Sequence, residues 1–218
     1  LPDALLICQI ARGGLSELEQ EALWDCLYLT PADLETVLKV IKERADQPVV
    51  YPMVLMAAHT GARRSEILRS LVQDFDFQSN LVVIHEKKRA KGRRTTRVVP
   101  LSPVLAATMA AWLKTHPQCK YTFCRRVNEN GGEEANAYAP MAVDQATDLL
   151  SRCLTGTDWT KLRGWHVFRH SFISNCASTG IDQRMIDAWS GHQTEEMRRR
   201  YTHLFPDSQQ QAMRKLFG

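Results

Sequence analysis

Residues 74–101 read DFDFQSNLVVIHEKKRAKGRRTTRVVPL, and the hydrophobic pattern of this stretch sets the fold class. Phenylalanine and aspartate alternate at its start, as in a strand with one buried face. Residues 79–80 (Ser-Asn) form a turn signal, and residues 81–85 and 95–101 are two further segments rich in β-branched residues. We therefore predict a small three-stranded antiparallel sheet over the whole stretch.

Helical patterns surround this sheet on both sides. Residues 30–33 (Thr-Pro-Ala-Asp) carry an N-capping threonine, a proline at the first helical position and an acid in the first turn. Apolar periodicity and breaker residues predict helices over residues 31–45, 52–59, 63–71, 103–116, 140–154, 166–178, 182–190, 194–203 and 207–217. Residues 117–139 are predicted to be irregular. The expected fold class is α+β, mainly helical, with the small three-stranded antiparallel sheet.

Composition places the chain among ordinary globular proteins. The 218 residues are 44% hydrophobic and 24% charged, and no apolar run approaches the roughly 20 residues that span a membrane. The first residues lack the basic and apolar segments of a secretory signal, so a cytoplasmic location without membrane contact is expected. Six cysteines without CxxC spacing are expected to be reduced thiols, with neither a metal nor disulfides: Cys8, Cys26, Cys119, Cys124, Cys153 and Cys176.

Positive charge is concentrated between the second and third predicted strands. The net charge of the chain is only +4, but one acid, Glu86, is followed by seven basic residues within eleven positions: Lys87, Lys88, Arg89, Lys91, Arg93, Arg94 and Arg97. A solvated charge run is the ordinary explanation of such a cluster. Here two strands would hold the run at a hairpin tip, which favours contact with a polyanion such as the DNA backbone.

A second group of residues has the chemistry needed for phosphoryl transfer. His166 and Arg169 are three residues apart and share a helix face, and His192 and Tyr201 follow within 36 residues of His166. Arginine can clamp phosphate oxygens, histidine can move a proton near neutral pH, and a tyrosine hydroxyl can attack phosphorus. Taken singly, each has an ordinary structural explanation. Together they indicate a covalent tyrosine intermediate.

The N-terminal half contributes a further arginine with an acidic neighbour. Arg63 lies just after Gly61 at a predicted helix start, where backbone amides also favour anions. Glu66 is one turn later and is placed to hold the Arg63 guanidinium still. Because Arg64 differs from Arg63 in direction by about 100° on a helix, only one of the two can point into a given site.

These motifs, in this order, resemble the tyrosine recombinase (phage integrase) family from about Thr30 to His203. Five segments carry the resemblance: TGARRSE at 60–66, RVVPL at 97–101, HVFRHSF at 166–172, SGH at 190–192 and YTH at 201–203. The resemblance implies a catalytic domain that cuts and rejoins DNA through a 3′-phosphotyrosyl intermediate, with no metal and no cofactor.

Residue by residue, the resemblance implies a complete catalytic set. Arg63 and Arg169 would clamp the phosphate with Glu66 in support, His166 and His192 would fill the two histidine positions, and Tyr201 would be the nucleophile. The family's catalytic lysine belongs on the hairpin. Lys88 is the first choice because strand alternation puts it on the face of Val82 and Ile84, and Lys87 and Lys91 are the alternatives. The DNA backbone would be bound by Lys87, Arg89, Lys91, Arg93 and Arg94.

The resemblance also implies partners and a domain organisation. The expected partners are double-stranded DNA attachment sites and further copies of the chain, forming a tetramer on DNA. Residues 1–29 would connect to an N-terminal DNA-binding domain, and residues 30–218 would form the catalytic domain with a tail helix at 207–217. That tail would dock either on its own domain or on a neighbouring protomer. The alternative functions are DNA relaxation of the type IB topoisomerase kind and DNA binding by a relative that has lost catalysis.

Overall fold

The computed structural model of the chain describes residues 28–86, 95–127, 138–162 and 164–191, with residues 214, 216 and 217 near the C terminus. Helices alternate with two small groups of strands along these ranges. In chain order the elements are α1 (Pro31–Arg44), α2 (Val50–Thr60), α3 (Arg64–Ile67), β1 (Phe75–Asp76), β2 (Leu81–His85), β3 (Thr96–Pro100), α4 (Pro103–Thr115), β4 (Cys124–Arg126), β5 (Tyr138–Pro140), α5 (Val143–Leu154), α6 (His166–Ser178) and α7 (Gln183–Ser190).

The capping signal at Thr30 produces the first helix as predicted. The Thr30 hydroxyl accepts a hydrogen bond from the Asp33 amide at 3.2 Å, and the Asp33 carboxylate accepts from the Thr30 amide at 3.3 Å. This reciprocal pairing satisfies two amide donors that the helix start would otherwise leave without acceptors. Helix α2 then runs through the centre of the core and packs against α1, α4, α5 and α6. Its near-uniform apolar sequence reflects burial on all sides.

The three-stranded sheet is antiparallel with strand order β1-β2-β3, as predicted. Val82 pairs with Val99, and both are buried, as is Ile84. Strand β1 is shorter than predicted, because Phe77 lies in a turn and is 37% exposed. The Asp76 carboxylate accepts hydrogen bonds from the amides of residues 78 and 79 at 2.9 and 3.0 Å, and this side-chain turn ends the strand.

Helix α3 is also shorter than predicted, since it ends at Ile67 and not near residue 71. The Ser70 hydroxyl donates to the Ile67 carbonyl at 2.7 Å, and the Leu71 amide donates to the Asp74 carboxylate at 2.7 Å. These side-chain bonds divert the backbone into a 3₁₀ turn at Val72–Asp74. The periodicity of Leu68 and Leu71 therefore reflected burial near the core and not a continuing helix.

Residues 117–139 are not wholly irregular, contrary to the prediction. Cys124–Arg126 pairs antiparallel with Tyr138–Pro140, and α5 starts at Val143 and not at residue 140. Strands of three residues are too short to show the alternation on which a sequence prediction depends. The remaining helices of the described ranges lie within a few residues of their predicted limits, and the predicted helices 194–203 and 207–217 fall outside the continuously described residues.

The described core also takes in the residue before the first helix. Leu29 is fully buried, its amide donates to the Ser171 hydroxyl at 2.8 Å, and its carbonyl accepts from the Asn175 side chain at 3.0 Å. These bonds tie the start of the described chain to α6. The predicted division at residues 29 and 30 stays a prediction, and the structure adds that Leu29 packs with residues on the C-terminal side of it.

Length limits what the described helices can do in a bilayer. The longest of them, α1, has 14 residues and the most apolar, α2, has 11, so they extend about 21 and 16 Å at 1.5 Å per residue. A hydrocarbon core is about 30 Å thick. Within the described ranges no helix has the length and apolarity needed to cross a membrane. The cytoplasmic location stays a prediction.

Candidate active site

The site begins where α2 ends at Gly61. This glycine adopts a φ of 61°, in the left-handed region, and stops the helix. A β-carbon at this position would lie only 2.5 Å from the ring of Phe172 on α6. The close approach of α6 therefore requires glycine at position 61. This packing fixes the direction in which the chain leaves α2 toward Arg63, which is the extended N-cap residue of α3.

Glu66 is the anionic centre of the site. Its carboxylate accepts from the Arg63 amide at 2.9 Å, and it forms ion pairs with the Arg63 guanidinium at 3.1 Å and with Arg97 at 2.7 Å. Glu66 is 2% exposed, whereas the Arg63 side chain is 37% exposed. Burial alone would raise the pKa of Glu66, but the hydrogen bond and charge of Arg97, with those of Arg63, bring that pKa below its ordinary value. The predicted contact between Arg63 and Glu66 is present, and the Arg63 guanidinium is still reachable from solvent.

Arg97 occupies a place that the sequence analysis missed. Only 6% of its side chain is exposed, and besides Glu66 it contacts the Trp189 carbonyl at 2.7 Å and the Glu86 carboxylate at 3.5 Å. It thereby joins β3 to α3, to the end of β2 and to the end of α7. In the sequence it belongs to the basic run that we predicted to contact a polyanion at the hairpin tip. Strand parity could have separated it, because residues 97 and 99 share the inner face of β3.

Gly191 fits against this ion cluster. Its φ of 80° and ψ of 166° lie in a region that is essentially restricted to glycine. A β-carbon there would lie 2.7 Å from a carboxylate oxygen of Glu86 and 3.3 Å from a guanidinium nitrogen of Arg97. Gly191 therefore does more than end α7, since it allows the chain to pass directly over the cluster immediately before His192.

Arg169 binds two chain segments from inside the domain. It is 3% exposed, and its Nη1 donates to the carbonyls of Gly61 at 2.6 Å and Ser190 at 2.7 Å. Gly61 precedes Arg63 by two residues, a Cα separation of at most about 7.6 Å. The structure thus brings Arg63, Glu66 and Arg169 to one place, together with the residues that lead to His192.

His166 lies at the start of α6 beside these cations and reaches solvent. Partial burial of the ring lowers the pKa of His166, and the charges of Arg169, Arg63 and Arg64 lower it further. The imidazole is therefore neutral at neutral pH and can accept a proton. Arg64 itself turns away to donate to the Thr147 hydroxyl at 2.6 Å, which agrees with the expectation that only one of the two neighbouring arginines faces the site.

The other predicted residues lie outside the described residues. They are the nucleophile candidate Tyr201, the second histidine His192, and the hairpin cations Lys87, Lys88, Arg89, Lys91, Arg93 and Arg94. The described structure contains the base of that hairpin, where the Glu86 amide donates to the Thr95 carbonyl at 3.0 Å. The roles of these eight residues stay predictions.

Comparison with known proteins gives one family. The model of the Phage integrase family matches residues 28–207. The type 1 fimbriae regulatory protein FimB of Escherichia coli (strain K12) is 26% identical over 170 residues, which cover 76% of this chain and 78% of that protein. Tyrosine recombinase XerA of Thermococcus onnurineus (strain NA1) is 23% identical over 197 residues, which cover 86% of this chain and 61% of that protein.

A solved structure agrees in fold. The Tn1549 transposon integrase, in complex with transposon right end DNA, superimposes with a TM-score of 0.66 at 18% identity, covering 88% of this chain and 67% of that one. At this level of identity the likeness concerns the fold alone. The predicted fold class, α+β and mainly helical with a small antiparallel sheet, is confirmed.

Proposed function

The chain belongs to the phage integrase family, and we propose that it is a tyrosine-type recombinase that cuts and rejoins DNA at specific sites. The observation that carries this proposal is that Arg169 binds the Gly61 carbonyl, two residues before Arg63, and that both arginines act on His166, whose pKa is lowered by burial and by their charges. Two guanidiniums beside a proton acceptor form a suitable environment for a phosphodiester under attack. The name of the relative XerA, a tyrosine recombinase, and the DNA complex of the Tn1549 integrase support the same function.

In the proposed reaction the hydroxyl oxygen of Tyr201 attacks a DNA phosphorus atom. A tyrosine–phosphate bond forms, the bond to the 5′ oxygen breaks, and the tyrosine proton passes to His166. Lys88 gives a proton to the departing 5′ oxygen, with Lys87 and Lys91 as the alternative donors. The free energy of the broken bond is retained in the phosphotyrosine, so a 5′ hydroxyl can reverse the reaction and join the strand to another end.

The arginines act on charge in this scheme. A phosphodiester repels nucleophiles, and negative charge grows on its non-bridging oxygens in the five-coordinate transition state. Arg63, held by Glu66 yet open to solvent, contacts those oxygens directly. Arg169 supplies a buried positive charge and fixes the Gly61 and Ser190 carbonyls, which precede Arg63 and His192 in the chain. His192 donates a hydrogen bond to the same phosphate.

A trapping experiment tests the nucleophile. Nicked attachment-site DNA that loses its 5′ hydroxyl fragment after cleavage should accumulate a covalent protein–DNA adduct, and the linked peptide should contain Tyr201. Tyr201→Phe should form no adduct while its DNA affinity stays nearly unchanged, because only the attacking oxygen is lost. Tyr138→Phe, outside the proposed catalytic set, is the matched control and should trap DNA like the parent.

Two results would contradict the assignment. An adduct that persists in Tyr201→Phe would move the nucleophile elsewhere, and no adduct from the parent on any candidate site would favour a DNA-binding relative without catalysis. Recombination is further proposed to use paired double-stranded sites and a tetramer of the chain. Relaxation of plasmid DNA of any sequence by a monomer would instead indicate topoisomerase activity.

A further inference from the structure

A second cluster of reactive side chains lies in the loop between α4 and β4. The ligand atoms of His116, Cys119 and Cys124 all lie within 4.8 Å of one another. The Cys124 sulfur is 3.8 Å from Nε2 of His116. None of these residues belongs to the proposed catalytic set. The histidine precedes both cysteines in the order H-x₂-C-x₄-C, so a search for a histidine after the cysteine pair misses it.

The separation of the Cys124 sulfur and the His116 nitrogen is close to that found in a zinc coordination sphere. Zinc–sulfur bonds are about 2.3 Å and zinc–nitrogen bonds about 2.0–2.1 Å, and tetrahedral angles then separate a sulfur from a nitrogen by about 3.6 Å. The observed 3.8 Å between Cys124 and His116 is within a small adjustment of that value. Two sulfurs and one imidazole nitrogen also form the soft donor set that favours zinc over magnesium or calcium.

A backbone oxygen lies inside the same cluster. The Tyr121 carbonyl is 2.8 Å from Nε2 of His116 and accepts from the Cys119 thiol at 3.5 Å. The imidazole nitrogen, the two sulfurs and this oxygen therefore lie close together, and hydrogen-bonding protons bridge them. A cation would replace those bridging protons, and the Tyr121 oxygen or one water molecule would complete four-coordination.

The surrounding structure holds the cluster in position without a metal. His116 caps the end of α4, is 5% exposed, and packs edge-on against Trp112 with ring centres 5.6 Å apart. The Trp112 indole in turn donates to the Thr122 carbonyl at 3.0 Å, and the Thr122 amide donates to the Ser70 carbonyl at 3.0 Å. Because helix and loop are already fixed against each other, little ordering is required when an ion binds.

We propose that His116, Cys119 and Cys124 bind one Zn²⁺ ion. The two thiols lose their protons to solvent as the thiolates bind the ion, and Nε2 of the neutral imidazole is the third ligand. The ion fastens the end of α4 to the start of β4. Through the bonds of residues 120 and 122 to residues 72 and 70, it also braces the segment that follows α3. The role of the ion is therefore structural, at a place separate from DNA cleavage.

Metal titration of the reduced, metal-free 218-residue chain tests this proposal. Zn²⁺ competed against a chromophoric chelator should bind with one equivalent, and Co²⁺ should give the intense visible absorption of a tetrahedral thiolate complex. Cys119→Ser and His116→Gln should each weaken binding by more than about 100-fold, the upper end of the cost of losing even an outer-sphere partner. Cys176→Ala removes a buried thiol outside the cluster and should bind like the parent.

Folding is controlled for separately. Cys119 is only partly buried, so its serine variant should keep the circular dichroism spectrum and the metal-free melting temperature of the parent. Zn²⁺ should raise the melting temperature of the parent and of Cys176→Ala but not that of Cys119→Ser, because only ligands that bind the folded state stabilise it. Hydrogen exchange at residues 116–126 should slow in the parent when zinc is added.

Several outcomes would overturn the proposal. These are a Co²⁺ complex of the parent without the tetrahedral thiolate absorption, equal loss of binding in Cys176→Ala and Cys119→Ser, and a zinc-dependent melting shift that Cys119→Ser retains. Formation of a Cys119–Cys124 disulfide when the chain is saturated with zinc would also overturn it, because the pair would then be a redox couple and not a metal site.

Discussion

Glu66 is a carboxylate that is almost completely buried, and the two arginines that flank it keep it ionised. The pKa of Glu66 in the folded state is below its ordinary value. The carboxylate therefore contributes stability when the pH is above that ordinary value, and this stability is lost as the pH falls through the folded pKa. Arg63 uses one nitrogen to pair with Glu66 and remains the more exposed partner. At this scale, the acid holds the arginine in place without covering it.

The pKa of His166 can be measured directly, which tests the site at the residue scale. Its pKa lies below the ordinary 6.5 because of burial and three nearby arginines, so the folded state binds its proton less well than the unfolded state. In NMR, the His166 ring signal, assigned by its loss in His166→Gln, should titrate below pH 6.5. Stability from this group should be present above pH 6.5 and fall as pH drops through the folded pKa.

The matched comparison for His166 is the variant Arg63→Gln. Removing one of the three positive charges should move the titration of His166 upward while leaving the buried Arg169 in place. A titration at or above pH 6.5 in the parent, or one that does not respond to Arg63→Gln, would contradict the electrostatic account of this site.

At the scale of elements, two short connections between helices direct the chain toward proposed catalytic residues. The turn at Gly61 directs the chain from α2 to Arg63, and the turn at Gly191 directs it from α7 to His192. Both glycines have positive φ, and side chains of other elements lie where their β-carbons would be. These turns are fixed by the packing of α6 at one end and by the Glu86–Arg97 ion pair at the other.

Gly191→Ala and Gly180→Ala compare a crowded glycine with an uncrowded glycine of similar φ. Both glycines have a φ near 80°, but nothing lies within 4 Å of a β-carbon at Gly180, whereas Glu86 and Arg97 crowd one at Gly191. Gly180→Ala should lose about 1–2 kcal/mol of unfolding free energy from conformation alone. Gly191→Ala should lose about 1–3 kcal/mol more, because overpacking against Glu86 and Arg97 is added at a ψ of 166° that is essentially restricted to glycine. Urea denaturation of both variants measures the difference, and equal losses would contradict both contributions.

At the scale of the whole molecule, one buried arginine joins distant parts of the chain. Arg97 extends from β3 to the side chain of Glu66, 31 residues earlier, and to the carbonyl of Trp189, 92 residues later. Arg169 likewise joins Gly61 and Ser190. The small sheet, α2 and α7 are therefore coupled through the guanidiniums of Arg97 and Arg169.

Arg97→Ala should destabilise the chain far more than a surface arginine substitution. Breaking a buried ion pair costs about 3–5 kcal/mol, because the partner charge is left buried. Arg152→Ala is the control, since Arg152 pairs with Asp46 at 2.9 Å with side chains 58% and 48% exposed, and its loss should cost at most about 1 kcal/mol. Chemical denaturation compares the two variants, and similar losses would mean that water replaces Arg97 in the cluster.

Much of the local structure could be predicted from the sequence. The capping signal at Thr30, the strand at residues 81–85 and the helix at residues 166–178 appear as predicted, because capping and periodicity depend on neighbours within a few positions. The end of α3 and the β4–β5 pair were missed. In the first case core burial imitated helical spacing, and in the second a distant partner, not local pattern, makes the strand.

The amino-acid order alone determined which residue types are present for phosphate chemistry and which short segments become helices or strands, because these depend on local sterics and hydrogen bonding. Only the tertiary structure decided that Arg97 is a buried bridge and not a surface charge, and that His116 meets two thiols. Both depend on contacts that form only when the chain packs. Burial removes water from these contacts and strengthens the interactions that remain, and a short stretch of sequence does not show which residues will be buried.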